Sequence, residues 1–296
     1  MNPVIKKKVM ETLNTTSLSR DDISRDDILK VTELNLNNLE LTDISDLSEF
    51  KNLIKLSLND NYLNNLTPLV ELTKLEELYA WNDPFKSDEE KAAEKGKIHL
   101  SDMSFLKNLT KLHEIDFTYT GITDIEWVKW LPNIEIMRVY CNKIPDISPI
   151  SVLKKLKQVF FFDCGLSDIS VFKELPDITG VAINMNKISD LTPLINCKNI
   201  TYLDAHTNQI ADITALSGMT EMRYLTLAEN NISDISALLG MTNIISLTLG
   251  SNPNLKDFSI LKKLKTLKRL DLRGAKIGMD EINEIQTILT ECNIKR

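Results

Sequence analysis

Several residue types and patterns are scarce in this sequence, and each shortage removes a class of function. There are three histidines, His99, His113 and His206, so metal centres and imidazole catalysis have little raw material. The four cysteines, Cys141, Cys164, Cys197 and Cys292, lack any close pairing, which excludes a disulfide framework or a zinc site. No uninterrupted apolar stretch is long enough for a transmembrane helix, and no membrane insertion is expected. The N-terminal MNPVIKKKVMETLN has lysines but no apolar core after them, so it does not read as a secretory signal. A cytoplasmic location is expected for the chain as written, and a secreted or surface one if a natural leader has been removed. Positive charge is in deficit. The 35 Lys and Arg residues against 42 Asp and Glu leave −7, a poor match for a polyphosphate, and no nucleic-acid partner is expected. There is no P-loop and no GxGxxG, and His113-Glu114 lacks the second His of an HExxH site. No cofactor is expected. Against these shortages stand 43% apolar and 26% charged residues, the composition of a globular chain with a core.

What the chain has in abundance is self-similarity. The pattern LxxLxLxxN starts at Val31, Leu53, Leu75, Leu112, Ile134, Leu156, Ile178, Ile200, Met222, Ile244 and Leu267, numbered here as coils 1 to 11. Eight of the ten complete coils have 22 residues; coil 3 has 37 and coil 10 has 23. The repeats cover about four fifths of the chain. Within a coil, apolar residues alternate (Leu225 and Leu227, Leu247 and Leu249), which is strand spacing. Position 9 is asparagine in most coils: Asn61, Asn142, Asn186, Asn208, Asn230 and Asn252, with Asp83, Thr120 and Cys164 in its place elsewhere. Stacked once per coil, an amide side chain can satisfy backbone groups where the chain leaves the strand. The tail of each coil reads x-I-x-D-I-S/T-x-L-x-x-L, and Ser or Thr before Pro (Pro68, Pro149, Pro193) marks the start of a short helical turn. One coil cannot bury its apolar face alone, so stacking is required.

Stacks need covers. Ile5, Val9, Met10 and Leu13 have helical spacing after Pro3, and a second short helix fits 24–30, with Ser24 three residues before Asp27. Ile282, Ile285, Ile288 and Leu289 give an amphipathic helix at the other end. The expected organisation is a single domain, residues 1–296. It comprises a helical cap (1–30), ten repeats (31–266), and a partial repeat with a second helical cap (267–296). The fold class is an α/β solenoid with a parallel sheet on the inner, concave wall and 3-10 or short helical turns on the convex side.

The 22-residue units and the motif N-x-I-x-D-I-S/T-P-L resemble the bacterial internalin-like class of leucine-rich repeat proteins. The segment ISRDDILKVTELNL resembles the helical cap that precedes such repeats, and ILTECNIKR resembles the family's terminal cover. The resemblance implies a leucine-rich repeat horseshoe that binds other proteins. The sequence departs from surface-anchored internalins in carrying no signal peptide, no following immunoglobulin-like module, and no wall anchor of LPXTG or GW type. Its repeat length is also similar to that of eukaryotic phosphatase-regulating leucine-rich repeat proteins.

With the first apolar residue counted as 1, positions 3, 5, 7 and 8 are expected to face the inner wall or its rim. They hold Tyr79, Trp81, Tyr119, Tyr140, Phe160, Phe162, Tyr202 and Tyr224, including five of the six tyrosines in the chain. Aromatic side chains supply stiff contact area and are enriched at interface hot spots. They also favour strands and pack across them, so two readings stand: a binding surface, or sheet packing. Arg138 and His206 share the wall. Asp116 and Arg138 occupy one position in adjacent coils and are expected to pair, as a polar anchor or as a plain surface ion pair. Glu76, Glu77, Glu114, Asp116 and Glu135 make the early wall acidic, while Lys268, Arg269 and Arg273 make the last coils basic. His206 lies near Tyr202 and Asp204, but no nucleophile accompanies it. The insertion in coil 3, residues 84–98, follows Trp81 and reads as a flap or as a tolerated surface insertion. The expected function is a non-catalytic module that binds a protein or peptide on the aromatic wall, as a monomer. A regulatory subunit of a cytosolic enzyme such as a phosphatase is the alternative, and an enzyme the third reading.

Overall fold

Three apolar positions and one asparagine dictate the course of each coil. The structure is a computed structural model and describes residues 1–13, 23–85 and 97–296. In coil 8, Ile200, Leu203 and Ala205 at positions 1, 4 and 6 are fully buried, as are Ile210, Leu216 and Met219 from its return half. Positions 3 and 5 point the other way, the period-2 geometry of a strand. Each fully buried Leu or Ile contributes roughly 1.5–3 kcal/mol, provided a neighbouring coil supplies the other wall.

After the strand the backbone turns left-handed at position 8. Asp60 (φ 56°), Met185 (φ 54°), Thr207 (φ 53°) and Glu229 (φ 56°) all do so without being glycine. That conformation costs an L residue about 1–2 kcal/mol. It is held because each of these N–H groups donates to the next coil: Asp60 N to Trp81 O, Met185 N to His206 O, Thr207 N to Ala228 O and Glu229 N to Gly250 O, all at 2.9 Å. The turn drives the next residue inward, and the asparagine ladder forms as expected. Asn230 Nδ2 donates to Ala205 O (3.0 Å) and Leu227 O (3.1 Å), while its Oδ1 accepts from Ile210 N (3.0 Å). Thr120 at the same position closes a shorter bond, Oγ1 to Phe117 O at 2.6 Å.

The 3-10 turns also form, but with a different cap from the expected one. Their N-cap positions are apolar, for example Leu191 and Ile213, and make no side-chain cap bond. The preceding aspartate does this instead. Asp190 Oδ1 accepts from Thr192 N and Asp212 Oδ1 from Thr214 N, both at 2.7 Å. These bonds hold both carboxyls below the usual carboxylate range.

The chain divides into two compact units, Met1–Lys143 with Val152–Lys155, and Ile144–Ser151 with Leu156–Arg296. Both have the leucine-rich repeat fold. The first carries helices α1 (Pro3–Thr12) and α2 (Arg25–Lys30) and strands β1 (Glu33–Asn35), β2 (Lys55–Ser57), β3 (Glu77–Tyr79), β4 (Glu114–Asp116) and β5 (Ile136–Arg138). The strands pair in parallel in sequence order, with Leu34, Leu56, Leu78, Ile115 and Met137 in register. Helix α1 buries Ile5 and Val9, and α2 begins with a complete capping box between Ser24 and Asp27. The Ser24 hydroxyl and then Lys30 bring the Asp27 carboxyl down to about 2.

The second unit carries β6 (Gln158–Phe160), β7 (Gly180–Ala182), β8 (Tyr202–Asp204), β9 (Tyr224–Thr226), β10 (Ser246–Thr248), β11 (Arg269–Asp271) and β12 (Asn293–Lys295), again parallel and in order. Helix α3 (Met279–Ile288) covers its end with Ile282 and Ile285, followed by Leu289. Ile288, expected on the same buried face, is 36% exposed. Residues 86–96 of the insertion, expected as a flap or a tolerated surface insertion, lie outside the described residues.

Candidate protein-binding faces

In the first unit, Tyr79, Trp81, Tyr140 and Arg138 stand half-buried on the sheet face turned away from the leucine core, and Tyr119 is 39% exposed. Their neighbours in sequence, Leu78, Ala80, Val139 and Met137, are fully buried, so the alternation places the aromatic residues outward. Glu77 organises the start of the face. Its Oε2 accepts from Lys55 Nζ (2.6 Å) and from the Tyr79 hydroxyl (2.7 Å), and the same ammonium lies 5.3 Å from the Tyr79 ring centre. Burial, and then this carboxylate, pushes the Tyr79 hydroxyl well above the ordinary tyrosine range. Burial likewise raises Tyr140.

The expected Asp116–Arg138 pair does not form as such. The two residues are register partners on β4 and β5, but Arg138 NH1 donates to Glu114 Oε1 at 2.5 Å. Asp116 is short and buried, and its Oδ1 accepts from Thr118 N at 3.0 Å. Burial pushes its carboxyl above the usual range, against the pull of Thr118 and Arg138. Beside it the fully buried Thr118 hydroxyl has no hydrogen-bond partner among the described residues. The acidic wall is therefore partly neutralised: Glu77 and Glu114 each hold a basic side chain, and His113 Nε2 stands 3.9 Å from Glu76.

In the second unit, Phe160 and Phe162 are half-buried on either side of the fully buried Phe161. Strand β7 next to them places only Gly180 and Ala182 outward, and Gln158 lies over Gly180. On its other side are Tyr202, Asp204 and His206. His206 Nδ1 and Asp204 Oδ1 are 2.7 Å apart, and this bond raises the imidazole above its ordinary range. Burial, then Asp204, pushes the Tyr202 hydroxyl up to about 12. Tyr224 follows, 39% exposed. The His206–Asp204 pair and the hydroxyls of Tyr202 and Tyr224 offer hydrogen-bonding groups on this face, which suits recognition of polar groups on a partner.

One feature of the first unit has no counterpart in the repeat pattern. Coil 3 departs from its neighbours in register. Asn82, at position 8, takes the buried ladder role, and Asp83 at position 9 stays half-exposed. Asn82 Nδ2 donates to Ile98 O (2.8 Å) and Tyr119 O (2.7 Å), and its Oδ1 accepts from Ile98 N (3.3 Å). The returning segment is further tied by Ile98 N to Asn61 O, His99 N to Leu63 O and Leu100 N to Thr120 O. Between this segment and coils 4 and 5 opens a cavity of about 470 Å³, lined among others by Lys97, His99, Tyr119, Cys141 and Lys143. Tyr119 apart, these residues are absent from the expected set. The sequence signal was only that coil 3 is long, because the insertion breaks the period that assigns positions.

The structure is similar to those of leucine-rich repeat proteins. An internalin, InlF, of Listeria monocytogenes matches over 99% of this chain and 94% of its own, at 24% identity and a TM-score of 0.75. The functional domain of InlJ from the same organism, which includes a cysteine ladder, matches over 98% of this chain and 58% of its own, at 19% identity and a TM-score of 0.74. A leucine-rich repeat protein of Leptospira interrogans matches over 90% and 84%, at 20% identity and a TM-score of 0.60. No protein-family model and no curated protein matches the chain. These likenesses establish the fold.

Proposed function

We propose, from the premise of a leucine-rich repeat fold shared with Listeria internalins, that this chain is a non-catalytic binding module. It holds a protein or peptide on the outward aromatic faces of its sheets and acts as a monomer. The observation that carries this reading is the partial exposure of large rings where the repeat alternates them with a closed core. Tyr119 and Tyr224 are each 39% exposed, and Phe160 and Phe162 flank a Phe161 that sees no solvent. Rings in that state lose little entropy on binding and bury much apolar area. The acidic balance of −7 argues for a protein rather than a polyphosphate as partner.

Affinity capture compares wild type with two variants, Tyr79→Ala/Tyr140→Ala in the first unit and Phe160→Ala/Phe162→Ala in the second. Circular dichroism checks that each stays folded. The reading expects one or both to lose the partner by at least about tenfold, the usual weight of a hot-spot ring. Retention at unchanged affinity by both folded variants would contradict it. The identity of the captured protein separates a regulator of a cytosolic enzyme from an adhesive receptor.

A further inference from the structure

We propose that the cavity between the returning segment 97–100 and coils 4 and 5 is a site for a small oxyanion carried on an aromatic body, a carboxylate or a phosphate. Its volume of about 470 Å³ lies within the range of small-ligand pockets, roughly 300–1,000 Å³. Its polarity is unlike that of the chain around it. In a protein with a formal charge of −7, the described lining residues include Lys97, His99 and Lys143 and no carboxylate. Lys97 is anchored, its Nζ 3.1 Å from Asp60 Oδ1. Lys143 and His99 are exposed and make no ion pair among the described residues, so the Lys143 ammonium and the ring nitrogens of His99 are available to a ligand. The apolar body has its own surface in the Tyr119 ring, 39% exposed beside the cavity.

The walls are built rather than incidental. Asn82 fixes Ile98 through both its amide atoms and fixes the Tyr119 carbonyl as well. Gly121 has φ +77°, and a Cβ there would strike the His99 ring, so the imidazole lies directly against bare backbone. Tyr119 takes the left-handed turn that position 8 adopts in the regular coils, and so lies at the rim of the cavity. Coil 3 thus supplies an irregular return and a repositioned asparagine, and coil 4 a left-handed glycine, around one hollow. This site stands independently of what the aromatic faces bind.

The test is an amide-resolved NMR titration of the full chain with benzoate, phenyl phosphate, inorganic phosphate and benzylamine. Benzoate or phenyl phosphate is expected to shift the amides of His99, Tyr119, Gly121 and Lys143, with a Kd of about 1 mM, ordinary for ligands of this size. Which of the two binds more tightly tells a carboxylate site from a phosphate site. Inorganic phosphate should bind more weakly than phenyl phosphate, because it lacks the ring. Benzylamine, of similar size and opposite charge, should leave those amides unmoved. Lys143→Glu should weaken the anions by about tenfold or more. His99→Ala should weaken them less, and Gly121→Ala should do so by displacing His99. Because Gly121→Ala sits at a positive φ and can unfold the coil, the exposed Lys143→Glu variant decides. Equal binding of benzylamine, no anion-induced shift, or unchanged affinity in Lys143→Glu would each overturn the proposal.

Discussion

Coils 3 and 9 use the same asparagine chemistry for different ends. In coil 9, Glu229 takes the left-handed turn and Asn230 bridges the carbonyls of Ala205 and Leu227, so the side chain ties one coil to the preceding one. In coil 3 the asparagine comes one residue earlier, at Asn82, which is absent from the positive-φ residues, and it ties the coil to the return of its own insertion. A repeat protein can thus redirect one ladder amide to hold an irregular segment, and the hollow beside that segment is the consequence. The regular coils provide the frame and present the rings. The irregular coil provides a pocket.

The largest effect should come from the ladder itself. Asn230→Ala leaves the buried Ile210 N without its partner and takes one of two amide donors from Ala205 O and Leu227 O, which keep Asn208 and Asn252, and a loss of about 3 kcal/mol is expected in chemical denaturation. Asn82→Ala should cost about 2 kcal/mol, because it releases mainly the insertion's return. Hydrogen exchange should then accelerate at Ile98, His99 and Leu100 while the amides of coil 9 keep their protection. Equal losses, or loss of protection throughout, would erase the distinction between the two coils.

A smaller effect of opposite sign sharpens the comparison at the turn. Met185 is 44% exposed at φ 54°, so Met185→Gly removes strain without opening the core. It should stabilise by about 0.5–1 kcal/mol. Asn82→Gly has no such strain to relieve and loses the ladder bonds, so it should destabilise. A gain in both variants would mean that coil 3 is as strained as the regular coils.

The period alone carries most of this fold. Once Leu203 and Ala205 are assigned inward, Tyr202, Asp204 and His206 follow outward, and the asparagines at position 9 name their own role. Both end helices are equally legible, Ile288 excepted, since its place at the last residue of α3 turns it toward solvent. Side-chain reach is less legible. Position matching pairs Asp116 with Arg138, yet the guanidinium extends to Glu114 and the shorter aspartate stays under cover, a choice set by length and burial. Capping is also displaced: Asp190, two residues ahead of the turn's first residue, accepts from Thr192 N, in place of a cap bond at the Thr192 hydroxyl. The cavity was least legible, because an insertion of non-repeating sequence has no register from which to read which side chains converge.

Three consecutive phenylalanines report most directly on which way the strands face. Phe160, Phe161 and Phe162 have the same intrinsic reactivity and differ only in their side of the sheet. Hydroxyl-radical footprinting of the free protein should oxidise Phe160 and Phe162 and spare Phe161, which is 0% exposed. Oxidation of Phe161 as fast as its two neighbours, or faster, would contradict the outward register and with it the proposed binding faces.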